Sequence, residues 1–114
     1  MKKYAEIAVL MIMVLAFSIT AEAAVKAQQA YPTLRISGST ATCKLKISKS
    51  GAYINATLEL YRDGVPIVSW SQSGYDSVLI SETYTVSSGH TYYVYAYGTA
   101  GGVAFNGQSA SVTL

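Results

Sequence analysis

From residue 33 onward, apolar and polar residues alternate with a period of two, and no stretch repeats with a helical period. Such alternation sends successive side chains to opposite faces of a strand, so it predicts half-buried β-strands. In residues 41–48, Ala41, Cys43, Leu45 and Ile47 take one face, and Thr42, Lys44, Lys46 and Ser48 the other. Cys43 therefore belongs to the core side, where a thiol is inert. Lys49-Ser50-Gly51 predicts a turn. Over residues 53–62, Ile54, Ala56, Leu58 and Leu60 point inward, with Asn55, Thr57, Glu59 and Tyr61 outward. Asp63-Gly64 predicts a type I′ hairpin, because both central residues of that turn need positive φ.

The return strand runs from Val65 to Ser71, and Pro66, which has no N–H to donate, marks an edge. Ser73-Gly74-Tyr75-Asp76 reads as a loop, and residues 77–87 as a strand with Val78, Ile80, Tyr84 and Val86 in phase. Glu82 falls in that inward phase. A buried carboxylate is costly, so a bulge or an edge is expected beside it. After the Ser88-Gly89 turn, residues 91–99 form the most aromatic strand, ended by Gly101-Gly102. Asn106-Gly107 then predicts a bulge or kink in the last segment. With a short first strand at residues 33–37 the count is seven, and turns recur every 8–12 residues. The expected class is all-β, an antiparallel β-sandwich of about seven strands over residues 33–114.

The first residues follow another pattern. Met1-Lys2-Lys3 is basic, residues 7–19 are apolar, and Ala21-Glu22-Ala23 precedes Ala24. A basic start, an apolar run and small residues before a cut describe a signal-peptide helix over residues 1–23, cleaved between Ala23 and Ala24. Thirteen helical residues reach only about 20 Å, short of the ~30 Å hydrocarbon core. No stable membrane span is expected after cleavage, and the expected location is extracellular. Residues 24–32 read as a flexible lead-in.

Residues 81–96 (SETYTVSSGHTYYVYA) resemble strands E and F of immunoglobulin-like and fibronectin type III-like domains. That resemblance implies an immunoglobulin-like β-sandwich. It also implies that Tyr92, at the start of strand F, returns a hydrogen bond to the corner before it. Residues 56–71 look like strands C and C′ of the same class. The pattern is similar, too, to small exported proteins of Gram-positive bacteria. It departs from antibody-type domains, because Val94 stands where the partner of a strand-B cysteine would be. Cys43 is the single cysteine of the 114 residues, so no disulfide can form within the chain.

Charge adds little. Residues 24–114 carry six basic and four acidic side chains, too few and too scattered to indicate nucleic acid. Lys44, Lys46 and Lys49 read as a solvated strand face. His90, the only histidine, lies in a turn; one histidine without a cysteine or acidic cluster does not make a metal site. No strand–turn–helix nucleophile elbow, acidic calcium loop or phosphate-cradling glycine loop is present. No cofactor, metal or catalytic activity is expected; a concave pocket bringing His90 to a carboxylate would reverse that.

The distinguishing feature is Tyr92-Tyr93-Val94-Tyr95-Ala96-Tyr97. Burying Tyr93, Tyr95 and Tyr97 would demand a hydrogen-bond partner for each phenol, so the outward phase is the cheaper one. The three are candidate binding residues, with Tyr61 and Trp70 as neighbours, Trp70 having core filling as its alternative place. Tyrosine also simply favours strands. As a functional surface, the ladder suits a glycan or a surface protein. Residues 83–114 hold no Asp, Glu, Lys or Arg, which removes the usual guard against edge pairing and makes self-association a second expectation. The expected role is that of a binding or surface-interaction module, with a self-assembling envelope protein as the alternative and a small secreted hydrolase third.

Overall fold

The structure is a computed structural model and describes residues 28–114. The signal segment, its cleavage site at Ala23–Ala24 and the first part of the lead-in lie outside the described residues. The strands are β1 (Gln28–Gln29), β2 (Thr33–Ser37), β3 (Thr40–Arg62), β4 (Val65–Thr85), β5 (Thr91–Ala100), β6 (Val103–Gln108) and β7 (Val112–Thr113). All seven join one hydrogen-bonded sheet, and the described residues contain no helix. Among them, no helix is long and apolar enough to cross a membrane.

Two long strands organise the pairing. β3 and β4 form one hairpin through Asp63-Gly64, where both residues have positive φ (52° and 84°), as the type I′ reading requires. Residues 40–44 of β3 lie between β2 and residues 81–85 of β4, and residues 45–49 pair with residues 76–80 of β4. Residues 53–62 lie between β5 and residues 65–75 of β4. β6 and β7 pair with β5, and β1 runs parallel to β6.

The inward residues of both stretches meet in one apolar cluster. Ala41 and Cys43 from the first stretch, and Ile54, Leu58 and Leu60 from the second, have no exposed surface. Val94 and Ala96 of β5 join them. Each fully buried Val, Leu or Ile contributes about 1.5–3 kcal/mol, so this cluster outweighs any surface contact. Burial pushes the Cys43 thiol up to about 11, which keeps it protonated and unreactive.

Several local expectations change. Lys49-Ser50-Gly51 does not end a strand, and Ser73–Asp76 is not a loop. β3 carries extra residues between Lys49 and Tyr53 as a bulge, while β4 continues through. Asp76 supports the bulge: its Oδ1 accepts from the Gly51 N–H at 2.7 Å, and both residues have positive φ. The turn chemistry was read correctly, but bulge and turn share the same residues. Asn106-Gly107 is not a kink either. β6 runs straight through it, and a Cβ on Gly107 would strike the Ala30 carbonyl. The glycine is there to admit the segment after β1, where the Ala30 N–H donates to the Asn106 carbonyl at 2.8 Å. From Gln28 the lead-in is therefore docked.

Glu82 resolves as an edge without a bulge. It pairs with Cys43 in unbroken register, and among the described residues β4 has no strand on its other side, so the carboxylate stays in solvent. Tyr84, two residues on, is likewise exposed (36%), and the inward phase is buried again only at Val86.

Candidate functional site

The alternation along β5 builds the candidate face. Tyr92, Val94 and Ala96 are buried, which turns Tyr93, Tyr95 and Tyr97 to the other side. The register then selects their neighbours on β3: Tyr93 lies opposite Tyr61, Tyr95 opposite Glu59 and Tyr97 opposite Thr57. On the other flank, Gln108 lies opposite Tyr95 and Asn106 opposite Tyr97. Four of the five residues proposed from sequence, Tyr61, Tyr93, Tyr95 and Tyr97, thus share one uncovered face.

Trp70 does not. It pairs with fully buried Leu58, so it projects to the core side, where it packs half-buried against the apolar cluster. Its neighbours are aliphatic rather than phenolic.

Tyr61 and Tyr93 are stacked, with ring centroids 4.7 Å apart and planes 9° from parallel. Side by side on adjacent strands at that spacing, rings must stand up from the sheet. They present edges and hydroxyls outward rather than a flat platform. Tyr95 and Tyr97 are tilted at 34° with centroids 5.8 Å apart. Glu59 sits among them: one carboxylate oxygen accepts from the Tyr61 hydroxyl at 3.1 Å, the other from the Tyr97 hydroxyl at 3.4 Å. Desolvation raises the Tyr61 phenol above its ordinary value, and the Glu59 carboxylate beside it raises it further.

Beyond Glu59 the same face continues in small hydroxyls and amides. Thr57 and Ser71 share a hydrogen bond at 2.9 Å, and the Ser73 hydroxyl donates to Asn55 Oδ1 at 2.5 Å. Tyr53 and Tyr75 close the far end, edge to face at 4.9 Å. Ser73 and Tyr75 escape the sequence reading because their turn-forming neighbours Gly74 and Asp76 suggest a loop where β4 continues. The signal lay in the exposed alternation Ser69, Ser71, Ser73, Tyr75.

Two further contacts tie down the ends of the strands. The Tyr92 hydroxyl accepts from the Ser87 N–H at 3.1 Å and lies 3.4 Å from the Ser87 carbonyl, the corner contact implied by the resemblance. The Ser87 N–H, which favours the phenolate, lowers the Tyr92 phenol from its ordinary value, with Arg62 also beside it. His90 does meet a carboxylate: its Nδ1 lies 2.6 Å from Asp63 Oδ2, while Asp63 Oδ1 accepts from the Thr91 N–H at 2.9 Å. This pair clips one turn to another on the surface.

The Thr91 N–H, then His90, hold the Asp63 carboxyl below its ordinary 3.8. A carboxyl lowered in the folded state stabilises fully above its unfolded value and loses that contribution as pH falls through the folded one. Asp63→Asn keeps a residue that tolerates positive φ but removes this titration. The variant is expected to lose less stability than the parent between pH 5 and pH 2, measured by urea unfolding; equal losses would show that Asp63 does not contribute.

Among the described residues, no three His, Cys, Asp or Glu side chains group to hold a metal. One surface depression of about 360 Å³ lies beside the Gln28–Tyr31 segment, against Lys46 and Phe105. Another, of about 440 Å³, lies over Arg35, Thr42 and Lys44. Neither is lined by His90 or by Tyr61, Tyr93, Tyr95 or Tyr97. No protein-family model, curated protein or solved structure matches this chain.

Proposed function

We propose that this chain is an exported, non-enzymatic binding or surface-interaction module built as an immunoglobulin-like β-sandwich. Its working surface is the face carrying Tyr61, Tyr93, Tyr95, Tyr97 and Glu59. The fold reading draws support from the division of pairing at the Lys49/Tyr53 bulge, which gives one set of β2 with the first half of β3 and the second half of β4. The other set combines the remaining halves with β5 and β6. Both sets bury their inner faces in one cluster, and Tyr92 returns to the corner before it.

The observation that carries the functional reading is the gathering of four tyrosines and a carboxylate on a face that no described strand covers. Tyrosine brings large contact area at little rotamer cost and concentrates in binding hot spots. Upright, mutually stacked rings leave few free ring faces for a sugar, which favours a protein surface as ligand over a glycan.

The double variant Tyr93→Ala plus Tyr95→Ala is expected to lose at least tenfold in affinity for any protein captured by the parent, at unchanged circular dichroism. Retention of every captured ligand, on pull-down and glycan array alike, would refute the tyrosine face. A second reading, a self-assembling envelope protein, rests on β4: a 21-residue strand with an unpaired edge, charged only at Asp76 and Glu82. Sedimentation of the parent and the double variant across concentration separates the two, since edge pairing survives loss of the tyrosines.

A further inference from the structure

The tyrosine face carries one charge, and it is negative. Along the outward positions of residues 53–61, 69–75, 93–99 and 104–108, Glu59 is the only ionisable group besides the phenols. The cations lie elsewhere. Arg35, Lys44 and Lys46 belong to the stretch paired with β2 and the far half of β4. Arg62 stands beside the Tyr92 phenol on the inward side, and Lys49 reaches the Ala100 carbonyl. Among the described residues, no Lys or Arg lies within 4.0 Å of Glu59, and the one ion pair is that of His90 with Asp63.

Glu59 is also held in place. Both of its oxygens accept from tyrosine hydroxyls, at 3.1 Å from Tyr61 and 3.4 Å from Tyr97, which orients the carboxylate while leaving lone pairs free. Around it stand the phenol oxygens of Tyr61 and Tyr97, each able to accept a further hydrogen bond from a cationic donor. A fixed carboxylate among phenols, without a cation of its own, is half of a charge-assisted pair.

We propose that the partner presents a lysine or arginine side chain to this face, with Glu59 as its counter-ion and Tyr61, Tyr95 and Tyr97 as its aromatic surround. The inference rests on the tyrosine face being the binding surface. It narrows the partner to a protein segment with exposed cationic side chains, and it makes Glu59 the specificity-determining residue. A neutral partner would leave the carboxylate desolvated and unpaired, which penalises it.

The probe is a short glycine-spaced arginine peptide titrated into the isotopically labelled protein, beside the same peptide with citrulline, the neutral isostere. The expected result is saturable shifts in the amide signals of Glu59, Tyr93 and Tyr95 for the arginine peptide. These should weaken with salt and be absent for citrulline. Glu59→Gln keeps the size and hydrogen-bonding capacity of the side chain, and is expected to weaken binding about tenfold, the worth of one charged hydrogen bond. Equal binding of arginine and citrulline peptides, or unchanged affinity in Glu59→Gln, would overturn the cationic partner. A captured protein ligand that is insensitive to Glu59→Gln but lost in Tyr93→Ala plus Tyr95→Ala would sink this inference and leave the binding face standing. Insensitivity to both variants would remove the face itself.

Discussion

Gly98→Ala is expected to cost on the order of 3 kcal/mol and to lower the melting temperature by roughly 12–24 °C. Gly98 lies in β5 between Ala56 of β3 and Phe105 of β6. Its inward position places it under the buried Phe105 ring, which fills the space a side chain would take. A Cβ there would meet the Asn55 carbonyl oxygen and would come within 2.8 Å of the Phe105 ring. The neighbour that must give way is backbone, part of the β3–β5 ladder, and cannot rotate aside as a side chain would. The residue's φ of 155° also lies outside what alanine readily adopts. Thermal melts followed by circular dichroism measure the effect. A shift under about 3 °C would mean that β5 and β3 do not pair in this register.

The second large effect is at Leu58. Its side chain has no exposed surface and lies between Trp70 and Ala96 on the neighbouring strands. Leu58→Ala is expected to destabilise by about 2–5 kcal/mol, the transfer term plus the cavity left behind. Small domains hold only about 5–15 kcal/mol in all, so this one side chain carries a large share of the stability. Trp70 is the only tryptophan of the chain, and its fluorescence reports the transition directly. The urea midpoint should fall with the slope unchanged. A loss below about 1 kcal/mol would place Leu58 outside the core.

The alternation of small, regular strands was plain in the residues, because a period of two leaves little room for other readings. Cys43, Leu45, Ile54, Leu58, Leu60 and Val94 took the faces their phase implied. So did Tyr93, Tyr95 and Tyr97, since burying three phenols without partners was the costlier option. Asp63-Gly64 was legible for a local reason, as few dipeptides accept two positive φ values in succession. Failures arose where local chemistry is shared by two outcomes. Gly51 and Asp76 carry turn residues' conformations inside strands that do not stop. Gly107 serves a distant segment, Ala30, and nothing beside it in the chain announces that contact. Glu59 was read only as an outward carboxylate. Its role depends on register, which brings Tyr97 of another strand to one of its oxygens.

The hairpin of β3 and β4 has a consequence for how the molecule assembles. The two strands pair from Arg62 and Val65 beside the turn to Thr40 and Thr85 at the far end. Closing a two-residue loop costs little chain entropy, so this hairpin can zip outward from Asp63-Gly64 before distant segments arrive. β2 and β5 then each find an edge of β3 already straightened, and their docking is templated rather than searched. The same two strands also run through both stretches of the sheet, so neither stretch can open without loosening rails that the other needs. Unfolding should therefore be a single cooperative event, with no separately melting half.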